Sequence, residues 1–172
     1  STTLRIFDLV GTPNTAGSTV KRLGADGSVV TYSWGIRDGV AAYWTTDGSG
    51  SHDQLTRSGN SWQWTDGNTR IVETYDVSAG DTAEWRLIER KDKSSKRLTF
   101  SYLAGTDKLD RVTTADGSWL SYVWSGANIA RIETGFTDLA TSTAKTLPRT
   151  LYDFCNGRLS QVRVVLTPDD NA

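Results

Sequence analysis

Residues 96–134 read KRLTFSYLAGTDKLDRVTTADGSWLSYVWSGANIARIET, and one pattern occurs in this stretch twice. Each copy begins with an aromatic segment that contains Tyr102 or Tyr122, passes a glycine at Gly105 or Gly126, and ends with two apolar residues. Side chains alternate between the two faces of a strand, so the alternating apolar residues of each segment share a face. The stretch therefore predicts four antiparallel strands made of two copies of one unit.

The composition of the whole chain fits the same class of fold. Its 172 residues include 7 Trp, 6 Tyr and 16 Gly but only 3 Pro and no Met. Aromatic residues suit pleated surfaces, and glycine with Asp or Asn supplies tight turns. We find no long segment with a helical apolar period. We therefore expect residues 1–172 to form a single all-β domain of antiparallel β-hairpins in a twisted sheet or sandwich.

Charge and hydropathy argue against some classes of partner. The formal net charge is -1, which gives no reason to expect nucleic acid or an anionic membrane surface as a partner. No apolar run approaches the roughly 18 residues that a membrane-spanning helix needs. The single cysteine, Cys155, cannot form an internal disulfide framework. We expect neither nucleic-acid binding nor membrane insertion.

A second internal repeat marks the turns. Residues 26–34, DGSVVTYSW, match residues 116–124, DGSWLSYVW. An Asp-Gly pair predicts a tight hairpin turn whose two central residues both have positive φ. By contrast, residues 135–148 are rich in Thr, Ala and Ser, and we expect them to form the longest loop.

The second strand of three predicted hairpins begins with the same motif, in which two apolar residues after the turn lie three positions apart. The pairs are Leu109 with Val112, Ile129 with Ile132, and Leu159 with Val162. This spacing does not fit one face of a regular strand. It predicts a β-bulge or a strong local twist after each turn.

Residues 152–159, YDFCNGRL, carry a family pattern. They resemble the Tyr-Asp-x-x-Gly-Arg-Leu motif of RHS and YD-repeat proteins, with one extra residue before the glycine, and the clearest similarity covers residues 83–167. The resemblance implies hairpins joined into a long spiralling sheet, in secreted or cell-surface bacterial proteins whose shells enclose toxins or serve adhesion. It implies no catalytic residue in the repeats. The Asp-Pro pair of the family's self-cleavage site does not occur in this sequence.

The tryptophans support a second hypothesis, a carbohydrate-binding module that uses exposed Trp and Tyr rings. Sugars stack on aromatic faces, and the alternation of strand residues puts Trp62 and Trp64 on one face and Trp119 opposite Trp124. Seven tryptophans do not easily share one interior, so we name Trp62, Trp64 and Trp119 as candidate ligand-binding residues. The alternative is that these rings fill the core.

A polar loop carries the candidate metal ligands. Asp47, Ser49, Ser51 and Asp53 place oxygen atoms at alternate positions, as in calcium-binding loops. An EF-hand would need Glu at position 58, which is Ser58. The loop is therefore either a plain Gly/Ser loop or a calcium site, and we expect no other cofactor.

The sequence leaves three hypotheses, and we put a non-enzymatic one first. It is a structural or adhesive module of a secreted or surface YD-repeat protein, a piece of a longer chain whose sheet edges meet the rest of the parent polypeptide or another protein. The carbohydrate-binding module is the second. An enzyme, such as a self-processing peptidase or a glycoside hydrolase, is the third, and no catalytic residue can be named for it.

Overall fold

The structure is a computed structural model that describes residues 4–45, 52–155 and 157–166, apart from the side chain of Pro148. These residues form fourteen β-strands and no helix, which confirms the predicted all-β class with antiparallel pairing. The part of the chain described here accordingly contains no helix that could cross a membrane. The strands are β1 Arg5–Val10, β2 Thr19–Leu23, β3 Val29–Arg37, β4 Val40–Thr45, β5 Gln54–Ser58, β6 Ser61–Thr65, β7 Val72–Val77, β8 Trp85–Lys91, β9 Arg97–Tyr102, β10 Leu109–Thr114, β11 Ser118–Ser125, β12 Asn128–Asp138, β13 Thr143–Cys155 and β14 Arg158–Val165.

Two compact units can be distinguished within what the sequence predicts as one domain. The barrel unit contains Ser1–Arg97 and Ala104–Asp107, and the sheet unit contains Leu98–Leu103 and Lys108–Ala172. The clearest YD-like repeats, predicted over residues 83–167, fall mostly in the sheet unit.

The barrel unit is a closed meander of eight strands. Each strand from β1 to β8 pairs with the next one along the chain, and β1 also pairs with β8. The closing contacts put Arg5 opposite Arg86 and Ile6 opposite Trp85. Closure removes the free edges that would expose unpaired backbone groups at β1 and β8.

Aromatic side chains fill much of the barrel interior. Trp34, Tyr43, Trp62 and Trp85 make a series of edge-to-face contacts, with successive ring centroids 5.3, 5.1 and 5.7 Å apart. Such pairs add to the energy of burying the rings themselves. On β6, Trp62 and Trp64 are buried while Gln63 between them is exposed, as the predicted alternation requires.

The Asp-Gly turns form in both copies of the repeat, but their backbone differs from the prediction. The amides of Ser28 and Ser118 each donate a 3.0 Å hydrogen bond to Oδ1 of the Asp two residues earlier. Only the glycines have positive φ, 82° at Gly27 and 89° at Gly117. The expectation of two central residues with positive φ is therefore wrong, because the Asp side chain closes the turn from a negative-φ position.

The sheet unit is an antiparallel meander from β9 to β14, and it confirms the predicted bulges. The pairing register slips by one residue at Asp110, Ala130 and Ser160. Each of these residues directly follows the first apolar residue of the repeated motif, which is Leu109, Ile129 or Leu159. The extra residue lets two apolar side chains three positions apart remain on one face of the sheet.

The prediction that residues 135–148 form a loop is wrong. Strand β12 continues to Asp138 and β13 begins at Thr143, so this segment forms the arms of a long hairpin. Gly135 permits the close pairing of the two strands, because a Cβ atom at this position would lie 2.3 Å from both the Lys145 carbonyl oxygen and Trp119 Cζ2. The glycine thus lets a tryptophan pack closely on the hairpin, and the Thr and Ser residues suit a half-exposed strand.

Candidate functional site

A pocket of about 290 Å³ lies at the end of the barrel where the β2–β3 and β6–β7 turns meet. We call it the barrel-mouth pocket. Tyr32 and Trp64 contribute aromatic rings to its lining, and the two turns contribute polar groups. Its charged lining residues are the carboxylates of Asp26, Asp53, Asp66 and Glu73 and the guanidinium groups of Arg22 and Arg90. The pocket therefore carries two more carboxylates than guanidinium groups.

Arg22 organises the inner wall of this pocket. Its Nη2 donates a 2.6 Å hydrogen bond to Glu73 Oε2, and its Nε donates to the Tyr75 hydroxyl at 3.1 Å. The same guanidinium lies 3.6 Å from the centroid of the Trp64 ring. Burial opposes the charge of Arg22, but Tyr75 and Glu73 outweigh it and the net effect raises the pKa of Arg22. A buried charge is tolerated here because it is paired and hydrogen-bonded.

Glu73 uses only one carboxylate oxygen in that network. Oε2 accepts hydrogen bonds from both Arg22 and Tyr75, and the side chain is only 2% exposed. Oε1 accepts no hydrogen bond from any residue that the structure describes. The Arg90 Nε atom lies 3.8 Å from Oε1, too far for a hydrogen bond. Oε1 therefore has an ion pair with Arg90 but no hydrogen bond, and its residue belongs to the pocket lining.

Two aspartates of the pocket have opposite electrostatic situations. Burial raises the pKa of Asp53 and the nearby charge of Asp66 adds to the rise; together they outweigh the hydrogen bond from the Gly67 amide and the charges of Arg22 and His52, which lower it. Hydrogen bonds from the Ser28 hydroxyl and amide lower the pKa of Asp26. Asp26 is therefore held ionised by its turn, whereas burial outweighs the groups that favour the charged form of Asp53.

The hydroxyls of Tyr32, which lines the pocket, and of Tyr75, which accepts from Arg22, stay protonated at neutral pH. Burial raises the pKa of Tyr32 to about 12, although its oxygen accepts a 2.9 Å hydrogen bond from Trp64 Nε1. Burial also raises the pKa of Tyr75. Both hydroxyls take part in hydrogen bonds and do not act as bases.

The three tryptophans named as candidate ligand-binding residues are all buried. Trp62 is 1% exposed, and Trp64 and Trp119 are each 7% exposed. They do not form an exposed row of rings, because Trp62 and Trp64 point into the barrel and Trp119 packs on Gly135 with Arg111 over its ring. Of the three, Trp64 alone lines the barrel-mouth pocket. A ligand-binding role for these residues stays a prediction.

The candidate calcium ligands lie mostly outside the described residues. Asp47, Ser49 and Ser51 are not among the described residues, so only Asp53 can be placed. Asp53 lines the barrel-mouth pocket. Within residues 4–45, 52–155 and 157–166, no group of three or more His, Cys, Asp or Glu side chains could hold a metal ion.

The sheet unit presents two chemically different faces. We call one the apolar face; its residues are Leu98, Phe100, Tyr102, Leu109, Val112, Leu120, Tyr122, Trp124, Ile129, Ile132, Tyr152, Phe154, Leu159, Val162 and Val164. The other face is charged: Glu133 pairs with Arg131 and Arg149, and Asp153 pairs with Arg163. This separation gives the sheet one face that is suited to water and one that is not.

Exposure of the apolar face rises sharply at its last strand. Its residues on β9 to β12 are partly buried, whereas Leu159, Val162 and Val164 on β14 are 53%, 51% and 61% exposed. Strand β14 pairs with β13 on one edge, and no described strand pairs with its other edge. The sheet unit therefore has an apolar edge strand with one side unpaired.

Sequence reasoning did not identify Arg22, Glu73 or Arg90. A charged residue in a strand is normally assigned to the solvent face. The alternation of side chains between the two faces of a strand could have identified them, because Arg22 shares a face with the apolar Val20 and Glu73 shares a face with Tyr75. Two opposite charges in phase with apolar residues on different strands indicate a buried ion pair.

The chain matches no protein-family model and no curated protein. The resemblance of residues 152–159 to the YD repeat therefore stays a prediction.

Proposed function

We propose that the chain is a non-enzymatic structural module of a secreted or cell-surface repeat protein, and that a further β-strand of the parent polypeptide extends its sheet at β14. The observation that carries the proposal is the apolar edge strand with its unpaired side. An edge of this kind is a template for adding a strand, and a protein that leaves it bare risks aggregation.

The regularity of the sheet unit supports a strand from the same polypeptide as the occupant. The three bulged hairpins repeat one register pattern. One more hairpin of the same design could therefore pair its first strand with the free edge of β14, as β13 pairs with β12. It would also cover the side chains at which exposure of the apolar face rises. Extended contiguous apolar surface in a water-exposed protein commonly marks an interface.

Hydrogen exchange of the β14 amides tests the proposal. Successive residues of a strand direct their amides to opposite edges. In a dilute solution of the isolated chain, the amides of residues 162–165 should therefore alternate. Those that donate to β13 should exchange slowly, and those that point to the unpaired edge should exchange fast. In the longer parent protein the fast amides should become protected at every dilution. Fast exchange of these amides in the parent protein would overturn the proposal.

A pair of substitutions separates strand addition by the parent chain from pairing of two copies. Val164→Lys places a charge on the apolar face, and Gln161→Lys places the same charge on the opposite face of the same strand. In the parent protein, Val164→Lys should restore fast exchange at the edge and Gln161→Lys should not. If the edge amides of the isolated chain are protected only at high concentration, and remain fast in the parent, the occupant is a second copy and the proposal fails.

A further inference from the structure

We propose that Arg57, Trp62 and Trp85 form a binding site for a carboxylate, at the end of the barrel opposite the barrel-mouth pocket. In the closed meander the β5–β6 turn and the β7–β8 connection lie at that end. Arg57 is one residue from the end of β5, Trp62 is the second residue of β6, and Trp85 is the first residue of β8. All three belong to the barrel unit, so this site and the proposed strand addition at β14 stand or fall separately.

Two buried indole N–H groups at this end have no acceptor. Trp62 is 1% exposed and Trp85 is 4% exposed. The Nε1 atom of each is buried, and no described residue accepts a hydrogen bond from it. An indole N–H can only donate, and a buried tryptophan usually finds a partner for it. The two rings therefore present donors that call for an acceptor from outside the described part of the chain.

Arg57 brings a positive charge to the same two rings. Its Cζ atom lies 5.6 Å from the centroid of the Trp62 ring and 5.5 Å from the centroid of the Trp85 ring. Its Nε atom is buried without an acceptor, and none of the described residues forms an ion pair or a hydrogen bond with the guanidinium. Contact with the ring faces stabilises the cation but leaves its charge in place.

The carboxylates nearest to this end of the barrel are already paired with other arginines. Glu84, which directly precedes β8, forms an ion pair with Arg5 at 2.9 Å. Asp107, which binds the β7–β8 connection through the Ala79 amide, forms an ion pair with Arg86 at 3.0 Å. The charge of Arg57 is therefore left for a ligand.

The three donor groups surround one small region. The ring centroids of Trp62 and Trp85 lie 5.7 Å apart, so the two rings and the guanidinium of Arg57 form a nearly equilateral triangle. A hydrogen bond spans about 3 Å between donor and acceptor. The two oxygen atoms of one carboxylate can therefore accept from groups at this spacing.

The position of Arg57 lets a ligand approach from solvent. Nε is its only guanidinium nitrogen that is fully buried, and the residue as a whole is half-buried. The β1–β2 loop fixes its backbone, because Asn14 Nδ2 donates a 3.3 Å hydrogen bond to the Arg57 carbonyl oxygen. A carboxylate can bind side-on to Nε and one Nη atom, as in bidentate arginine pairs, while the rest of the ligand stays outside the barrel.

The charge of the site selects a singly charged anion. One guanidinium balances one negative charge, and its planar fork matches the two oxygens of a carboxylate. The indole groups of Trp62 and Trp85 add hydrogen bonds but no charge. A doubly charged phosphate would leave one charge uncompensated in a partly buried place, which is costly. The site therefore suits a monocarboxylate.

An NMR titration of the chain with acetate and with acetamide, at constant ionic strength, tests the proposal. The indole N–H signals of Trp62 and Trp85 should shift together with acetate, whereas acetamide, of the same shape but without charge, should bind at least roughly tenfold more weakly. The Trp64 indole is an internal reference, because it donates to the Tyr32 hydroxyl at 2.9 Å. Unmoved Trp62 and Trp85 signals, or equal shifts with sodium chloride, would overturn the proposal.

Substitutions of the site test the roles of the three groups. Arg57→Gln should weaken acetate binding by roughly tenfold or more, because a charge-assisted hydrogen bond is lost. Arg57→Lys keeps the charge without the fork and should fall between the two. Trp85→Phe keeps a ring, removes one N–H and should also weaken binding. An unchanged Trp64 signal shows that a variant is folded. Wild-type affinity in Arg57→Gln, or in the other two variants if this one does not fold, would overturn the proposal.

Arg111 supplies a matched control in the sheet unit. Its Cζ atom lies 4.5 Å from the centroid of the Trp119 ring, whose buried Nε1 atom also lacks a described acceptor. Here one arginine meets one indole and not two. Arg111→Gln removes the same charge and should leave the acetate shifts of Trp62 and Trp85 unchanged. If the Trp119 signal responded at the same acetate concentrations, any arginine on a tryptophan would attract carboxylates, and the proposal would fail.

The carboxylate is either a free carboxylic acid or an Asp or Glu side chain of another polypeptide, since both present the same group. Propionate and the blocked peptide acetyl-Gly-Glu-Gly-amide separate these sources, because each carries a single carboxylate on a similar short tail. Tighter binding of propionate indicates a free acid, and tighter binding of the peptide indicates a side chain. Absence of any response of Trp62 and Trp85 to both would overturn the proposal.

Discussion

Arg22 and Glu73 form a hydrogen-bonded ion pair inside the barrel, with 2.6 Å between Nη2 and Oε2 and side-chain exposures of only 9% and 2%. The pair lies among the aromatic side chains of Trp64 and Tyr75, which contact or bond the guanidinium. Desolvating two charges is expensive, and hydrogen bonds and attraction in a region of low polarity recover this cost. The pair is thus a point at which one substitution should have a large effect.

Glu73→Leu should destabilise the barrel unit by about 3–5 kcal/mol, because it leaves the buried Arg22 charge uncompensated. The double variant Arg22→Met with Glu73→Leu should recover much of this loss, since neither charge remains buried. Urea unfolding followed by tryptophan fluorescence measures both. A double variant less stable than the single one would contradict this account of the pair.

An exposed pair on the sheet unit provides the comparison. Arg163 Nε lies 3.0 Å from Asp153 Oδ2, with both side chains about half exposed. Asp153→Ala should cost only about 0–1 kcal/mol, because water screens the pair and each side chain loses freedom on forming it.

Asp107 should make the barrel unit sensitive to acid. Burial acts to raise its pKa, but hydrogen bonds from the Ser78 hydroxyl and from the Ala79 and Gly80 amides, with Arg86 beside them, outweigh burial and lower the pKa below 3.8. A carboxyl with a lowered pKa stabilises the fold above its unfolded pKa, and this contribution is lost as pH falls through the folded pKa.

The measurement is the free energy of unfolding in urea from neutral pH down to below pH 3.8, compared with Asp107→Asn. The wild type should be more stable at neutral pH, and the difference should shrink as the solution becomes acid. An Asp107→Asn curve parallel to the wild type at every pH would refute the assignment.

Local features of this fold were predictable and long-range ones were not. The bulge at Ala130 follows from the spacing of Ile129 and Ile132, because a face of a strand can be inferred from a few neighbouring residues. Closure of the barrel by Ile6 and Trp85 depends on residues far apart in the chain, for which alternation carries no signal.

The barrel-mouth pocket could not be predicted for a related reason. The sequence places Asp53 in a candidate calcium loop, of which Asp47, Ser49 and Ser51 lie outside the described residues. The fold brings Asp53 together with Trp64 and Glu73 from other strands, which no neighbouring residue in the sequence indicates. Exposure of Trp62 and Trp64 was a reasonable expectation from their number. A closed barrel has room for many inward rings, which an open sheet does not.

Gly135 should tolerate no side chain. A Cβ atom would lie 2.3 Å from the Lys145 carbonyl oxygen and from Trp119 Cζ2, so β12, β13 or the indole would have to move. Gly135→Ala should therefore cost at least about 1–3 kcal/mol, the usual range for overpacking. Thermal unfolding monitored by near-ultraviolet circular dichroism measures the loss.

Gly35→Ala is the matched control for this substitution. It is also a strand glycine without positive φ, and its added Cβ would meet only Trp44 Cδ1 at 3.9 Å, an ordinary contact. It should be nearly neutral. Equal destabilisation by the two variants would mean that loss of glycine in a strand, and not the contact with Trp119, determines the cost.

Deletion of Ala130 should be tolerated, because the bulge is an insertion into an otherwise regular pairing. Ile129 pairs with Trp124 and Ile132 with Tyr122, so removing one of the two residues between them leaves both on the apolar face at normal strand spacing. The loss should be limited to the local twist that a bulge adds. Deletion of Val123, directly across on β11, should instead put Tyr122 and Trp124 on opposite faces and send one ring to the charged face. Urea unfolding of the two deletion variants, followed by far-ultraviolet circular dichroism, should show a much larger loss for the Val123 deletion; a larger loss for the Ala130 deletion would mean that the bulge itself holds the sheet unit together.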